Sequence, residues 1–211
     1  MNQFQTQLDL ETAIKCLIET EPRFGPIHVR HGTPSLRRTS ASLESLLSII
    51  TDQFLSVQAG AAIWARLKER LGEVTCDAVL NCRQEELLSL GLSRAKAKCF
   101  HACGAEALDF NQLIDQPPET IREKLLAIWG IGTWTADIFL LTAMADTDAW
   151  PVGDLALQVA AQDLLGLRQR PDAIEMNKIG KPWQPYRAAA ARLLWAHYRS
   201  LKGLAQAPSQ N

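Results

Sequence analysis

Apolar residues recur at helical spacing through most of the chain. Leu43, Leu46, Leu47 and Ile50 fall at i, i+3, i+4 and i+7, which is one face of a helix. Ser40 or Ser42 stands ahead of them as N-cap. Ser56 predicts a second start, with Ala61, Ile63, Trp64 and Leu67 on its apolar side and Gly72 at its end. Thr75, Ser93 and the Pro117–Pro118 pair mark further starts, and Gly91, Gly104, Gly130, Gly166 and Gly203 read as stops or joints. A first helix is predicted over about residues 8–19. Between Glu21 and Thr39, Pro22, Gly25, Pro26, Gly32 and Pro34 predict irregular chain. Strict apolar–polar alternation, the mark of a half-buried strand, is missing. The pattern predicts an all-α protein of roughly eight to ten short helices, with LAQAPSQN as a frayed tail.

Composition narrows the class. The 211 residues are 47% hydrophobic and 21% charged, a globular balance that excludes a disordered or collagen-like chain. Lys and Arg number 22 against 23 Asp and Glu, a formal net charge of −1. That balance gives no hint of a polyanionic partner. MNQFQTQLDL lacks the basic start and apolar core of a signal peptide, and no apolar run approaches the ~18 residues of a membrane span. Five cysteines without disulfide-framework spacing suggest a reducing, intracellular compartment. Cys99, His101 and Cys103 do not make a zinc set, because His101 lies about 200° round the helix from the two cysteines.

The most informative stretch is 119–144, ETIREKLLAIWGIGTWTADIFLLTAM. Leu125, Leu126 and Ile128 are the apolar positions of one helix; Ile138, Phe139, Leu140, Leu141 and Ala143 are those of the next. Gly130-Ile131-Gly132 between them predicts a hairpin too tight for a Cβ at either glycine. The second helix is expected to begin at about Thr133. Its free N–H groups and positive dipole end would then suit a phosphate without any surplus of basic residues. A plain helix–helix corner with glycine as C-cap fits GIG equally well.

Leu125-x-x-Ile128-x-Gly130-Ile131-Gly132-x-Trp134-Thr135-Ala136 resembles the helix-hairpin-helix of the base-excision DNA glycosylase superfamily, in its alkylated-base (3-methyladenine) branch. Three segments resemble further family elements in the same order: residues 49–56 (IITDQFLS), Gly91-Leu92-Ser93-x-x-Lys96, and Trp183-x-Pro185-x-Arg187-x-x-Ala190 with Trp195 five residues on. The resemblance covers about residues 8–200. Departures are Trp129, where many relatives have Pro, and Asp52 and Phe54 in the Gln-containing turn.

This resemblance implies one glycosylase domain over 1–211 with two helical lobes, about 36–152 and about 1–35 plus 153–203. It puts the active site in the cleft between them. It makes Asp154, which otherwise reads as the N-cap of LALQVAAQDLLG, the catalytic carboxylate, and the two roles are compatible. Asp137, Asp146 and Asp148 are expected to be surface or loop charges. Bifunctional relatives carry Lys two positions after the second hairpin glycine; Trp134 stands there, which implies a monofunctional enzyme using water. Trp134, Trp195 and Ile138 would line the base pocket, where a cationic alkylated base stacks on indole faces. Trp64, Trp129, Trp150 and Trp183 are expected in core packing. Phe54, with Gln53 beside it, would fill the hole left by the flipped base. Gly130, Ile131, Gly132 and Thr133 would hold a DNA phosphate, and the Ile128 and Ile131 carbonyls are the positions for a monovalent cation. No other metal and no cofactor is implied, and without a Cys after Cys103 an iron–sulfur cluster of the family type has no ligands. Arg94, Lys96 and Lys98 would meet phosphates or form a solvated face. The expected partner is duplex DNA containing alkylated bases, bound by a monomer. Two other readings stay open: a non-catalytic helix-hairpin-helix DNA-binding module, and an oxidised-base glycosylase of the same superfamily.

Overall fold

Short polar side chains accept the first free N–H groups of most of the helices and so set where they begin. The computed structural model describes residues 3–203; the LAQAPSQN tail lies outside them. Among the described residues thirteen α-helices follow one another. They are α1 (Gln7–Thr20), α2 (Phe24–His31), α3 (Leu43–Asp52), α4 (Val57–Leu71), α5 (Cys76–Asn81), α6 (Gln84–Ser89) and α7 (Arg94–Glu106), then α8 (Phe110–Leu113), α9 (Pro118–Ala127), α10 (Thr133–Thr142), α11 (Leu155–Leu165), α12 (Ala173–Gly180) and α13 (Arg187–Leu201). Ser42, Ser56, Thr75 and Ser93 each accept the backbone N–H three residues on, as the sequence predicts. Thr6 and Asp9 close a full capping box at α1. The fold is all-α, with a single bridge between Gln3 and Asp146 as its extended pairing among the described residues. No helix of the described residues is long and apolar enough to cross a membrane.

Three departures from the sequence reading have physical reasons. The stretch 21–39 is not wholly irregular, because α2 forms within it. Pro26 occupies the first turn of α2, where its missing N–H has no partner to lose, and Gly32 (φ +66°) ends the helix. Gly104 is no stop. It lies buried inside α7, where an added Cβ would stand 3.2 Å from Leu80 Cγ. The helix count exceeds eight to ten because α5, α6 and α8 span six, six and four residues, too short to show a period.

The chain forms two compact units. One is Thr39–Met144, which holds α3 to α10. Within it α3 packs on α4, α7 and α10, while α5 and α6 lie on α7 and α9 lies on α10. Leu46, Leu47, Ile50, Phe100, Ile121 and Phe139 are fully buried, each contributing about 1.5–3 kcal/mol. The other unit runs to Arg38 and resumes at Ala145. Its centre is α13, which contacts α1, α2 and α11. The run Ala188–Ala191 is fully buried, and its small side chains let neighbouring helices approach closely. Trp150 and Trp183 meet edge to face at 5.5 Å in this unit's core, as expected of them.

Candidate active site

The hairpin is built by buried side chains on either side of exposed glycines. α9 ends at Ile128, whose carbonyl accepts the N–H of Ile131 at 3.1 Å, and both isoleucine side chains are buried. Gly130 has φ +89°, and a Cβ there would stand 2.9 Å from Cys99 Sγ. Only glycine fits that position. Gly132 differs from the sequence expectation. Its φ is −98° and nothing lies within 4 Å of the Cβ position, so this glycine faces open space. It is the N-cap of α10, and α10 has no side-chain cap, unlike α3, α4, α5, α7 and α11. Thr133 is exposed beside it. The hairpin thus presents a helix start with backbone donors and a bare Cα, suited to an anion.

What holds α9 and α10 together escapes sequence reading. Asp137 is not a surface charge. It is 1% exposed, and both its oxygens accept from the Arg122 guanidinium, Oδ1 from Nη1 and Oδ2 from Nη2. Asp146 and Asp148 are likewise engaged. Asp146 is buried, and its Oδ1 accepts the Asp148 N–H at 3.0 Å. Asp148 accepts Arg187 Nε at 2.8 Å and Nη2 at 2.7 Å. Asp146 and Asp148 thus lie in the loop between α10 and α11, as expected, but with hydrogen-bond partners; Asp137, inside α10, is neither a surface nor a loop charge. Trp129 departs as well. It is half-exposed, with the Lys98 ammonium 4.0 Å from its ring centroid. On α10, Trp134 is half-buried and Ile138, one turn on, is buried.

Asp154 stands at the head of α11 in extended backbone, and its own N–H donates to Pro151 O at 2.9 Å. Its Oδ1 accepts two donors: the Leu157 N–H at 3.0 Å, which makes Asp154 the N-cap, and the Trp195 indole Nε1–H at 3.2 Å. Trp195 comes from α13, half-buried, so a carboxylate and an aromatic face lie side by side. Asp154 and Trp195 belong to the unit that resumes at Ala145; Trp134, Ile138 and the hairpin belong to Thr39–Met144.

The turn after α3 is the third feature. Phe54 is fully exposed and has φ +57°, a left-handed conformation costly for a bulky residue. Gln53 beside it is turned inward, its Nε2 donating to Thr135 Oγ1 in α10 at 2.5 Å. Lys96 is half-buried rather than part of a fully solvated face. Its Nζ donates to Thr51 O and Gln53 O, each at 2.7 Å. Burial pushes the Lys96 ammonium below its usual range and the Asp52 carboxyl above its own, each partly offset by the other.

Comparison with known proteins adds a family. An alkylbase DNA glycosidase-like protein of Schizosaccharomyces pombe, mag2, is 27% identical over 164 residues, covering 74% of this chain and 77% of that protein. A putative DNA-3-methyladenine glycosylase of Bacillus subtilis, YfjP, is 32% identical over 176 residues, covering 78% of this chain and 61% of that protein. Some relatives are much longer: the chain spans 21% of two Mycobacterium tuberculosis proteins. A solved Bacillus halodurans structure described as a DNA-3-methyladenine glycosidase superposes with a TM-score of 0.76 at 27% identity, covering 96% of this chain and 95% of that one. The model of the HhH-GPD superfamily of base excision DNA repair proteins matches residues 47–185, across the Phe54 turn, the hairpin and Asp154, and the chain belongs to that family.

Proposed function

We propose that the protein is a monofunctional DNA glycosylase that flips alkylated purines, of the 3-methyladenine and 7-methylguanine type, out of duplex DNA. It hydrolyses their N-glycosidic bond and leaves an abasic site. The observation that carries this reading is the Asp154 carboxylate held by Leu157 N–H and Trp195 Nε1–H at the start of α11. The similarity to proteins named for 3-methyladenine release supports the substrate class. A purine alkylated on a ring nitrogen is cationic and leaves without strong acid help. As the bond lengthens, positive charge builds on the sugar; Asp154 stabilises it and takes a proton from the attacking water. Trp134 and Trp195 supply indole faces for the cationic base, and Ile138 an apolar wall. With Trp134 where a Schiff-base lysine would stand, the sugar passes to water. The Ile128 carbonyl, already taking one N–H, has a second lone pair with which it and Ile131 O could hold a monovalent cation beside the phosphate. The test is mass analysis of bases released from methylated duplex DNA. We expect methylated purines, abasic sites in equal number, an uncut strand and no borohydride-trapped adduct. Release of oxidised bases with a trapped adduct would favour the bifunctional rival. No release at all would favour a non-catalytic module.

The two hairpin glycines separate folding from DNA binding. Gly130→Ala forces a Cβ against Cys99 at positive φ and is expected to cost about 2–4 kcal/mol in thermal melts. Gly132→Ala meets no protein atom within 4 Å and is expected to cost less than about 1 kcal/mol. Because a methyl at Gly132 intrudes where the phosphate would lie, duplex affinity should fall at least about tenfold. A Gly132→Ala protein that binds DNA as well as the parent contradicts the phosphate site.

A further inference from the structure

The exposed turn at Phe54 is held from behind by three neighbouring elements. From α7, Lys96 donates to the carbonyls of Thr51 and Gln53, where α3 ends. From α10, Thr135 accepts the Gln53 amide. On α4, the bare backbone of Gly60 makes room for the Asp52 carboxylate, which occupies the space a Cβ would need. Residues 51–53 are therefore anchored, while Phe54, Leu55 and Val57 project as exposed apolar groups. A phenylalanine at φ +57° persists only where its surroundings impose that conformation. Lys96 satisfies two carbonyls at the end of α3 that the helix itself leaves without donors. Two of its three ammonium protons are committed to those carbonyls, which ties its head group to the turn.

We propose that Lys96 is a positioning residue for base flipping: by holding the Thr51 and Gln53 carbonyls it fixes Phe54 in the conformation that enters the duplex. The Gln53–Thr135 bond sets that turn in one frame with α10, and so with the hairpin. The proposal rests on the assignment of Phe54 as the inserted side chain. Two alternatives make different predictions. If Lys96 merely stabilised the fold, its loss would lower melting temperature without acting through Phe54. If it met a phosphate, its loss would lower affinity and leave insertion intact at saturation.

The test uses the whole protein and a duplex with a tetrahydrofuran abasic analogue next to 2-aminopurine, whose fluorescence rises when an inserted ring unstacks it. Anisotropy sets protein at saturation, which removes affinity from the comparison. The parent protein should give the full rise and Phe54→Ala almost none. Lys96→Met, which keeps the aliphatic stem, should at least halve the rise, and Lys96→Arg should restore most of it. Single-turnover excision from methylated duplex should fall about tenfold in Lys96→Met, and the Lys96→Met/Phe54→Ala double variant should be no slower than Phe54→Ala alone. Should Lys96→Met fail to fold, Lys96→Gln, which retains a donor, should give an intermediate rise. A full rise in a folded Lys96 variant while Phe54→Ala loses it overturns the role of Lys96 and leaves the wedge standing. A full rise in Phe54→Ala overturns the wedge, and the proposal with it. Multiplicative losses in the double variant show that Lys96 does not act through Phe54.

Discussion

Asp154→Asn should leave the protein folded and remove excision. The substitution changes charge and little else. Asn ranks with Asp as an N-cap, so the Leu157 N–H keeps an acceptor. The amide oxygen can still accept the Trp195 indole N–H, and the extended backbone at residue 154 suits either residue. Stability should therefore change by less than about 1 kcal/mol. Under the proposed mechanism, what disappears is the anion facing the positive charge that develops on the sugar, together with the base for the attacking water. Removing one preorganised electrostatic partner typically costs 10²–10³ in rate, and a full carboxylate serving both roles should cost about 10³ or more, about 4 kcal/mol. The measurement is single-turnover release of methylated bases at saturating enzyme, with a thermal melt alongside. Asp154→Ala makes a poorer test, because it also removes the cap and leaves an indole N–H without its partner. An Asp154→Asn enzyme as fast as its parent would reduce Asp154 to a helix cap and turn the reading toward a DNA-binding module.

The features legible in the sequence are those whose cause is local. Ser42, Ser56, Thr75 and Ser93 announce helices because a cap acts within three residues, and the GIG hairpin declares itself because its geometry is set by adjacent glycines. Even there the two glycines read alike, whereas only Gly130 is required by the fold; the difference lies in Cys99, brought to its face by α7. Side-chain partnerships across the fold leave no such trace. Asp137 finds Arg122 across the hairpin, Lys96 finds Thr51 at a separation of 45 residues, and Gln53 finds Thr135 at 82. Each of these residues, judged by type alone, reads as a solvated surface group. Asp154 lies between these cases. Its capping role is local, but the Trp195 indole that also donates to it arrives from 41 residues away. The family resemblance supplied what spacing could not, by ordering four distant segments along one chain.

Arg122→Met should be among the most destabilising single changes in the hairpin unit, and it should be far worse than removing the acid. Asp137 is 1% exposed, while the Arg122 side chain is 35% exposed and reaches it from the edge of α9. Taking away the guanidinium leaves a carboxylate buried without its cation, a change that typically costs about 3–5 kcal/mol. Asp137→Leu leaves instead a half-exposed arginine, whose long stem can carry the charge to water, and should cost about 1–2 kcal/mol. The double variant Arg122→Met/Asp137→Leu puts two apolar groups in place of the pair and should recover most of the Arg122→Met loss, giving a coupling of about 3–5 kcal/mol. For a chain of this size the Arg122→Met loss corresponds to a drop of roughly 6–20 °C in melting temperature. Against a typical total stability of about 5–15 kcal/mol, that brings the protein near the edge of folding. Thermal melts of the four proteins measure all three numbers. The consequence for DNA follows from place: the pair ties α9 to α10 on either side of Gly130 and Gly132, so the single variant should lose duplex affinity and the double variant regain it. If Arg122→Met proved as mild as Asp137→Leu, the guanidinium would not be what makes the buried carboxylate tolerable, and the hairpin would owe its shape to packing of Ile128 and Ile131 instead.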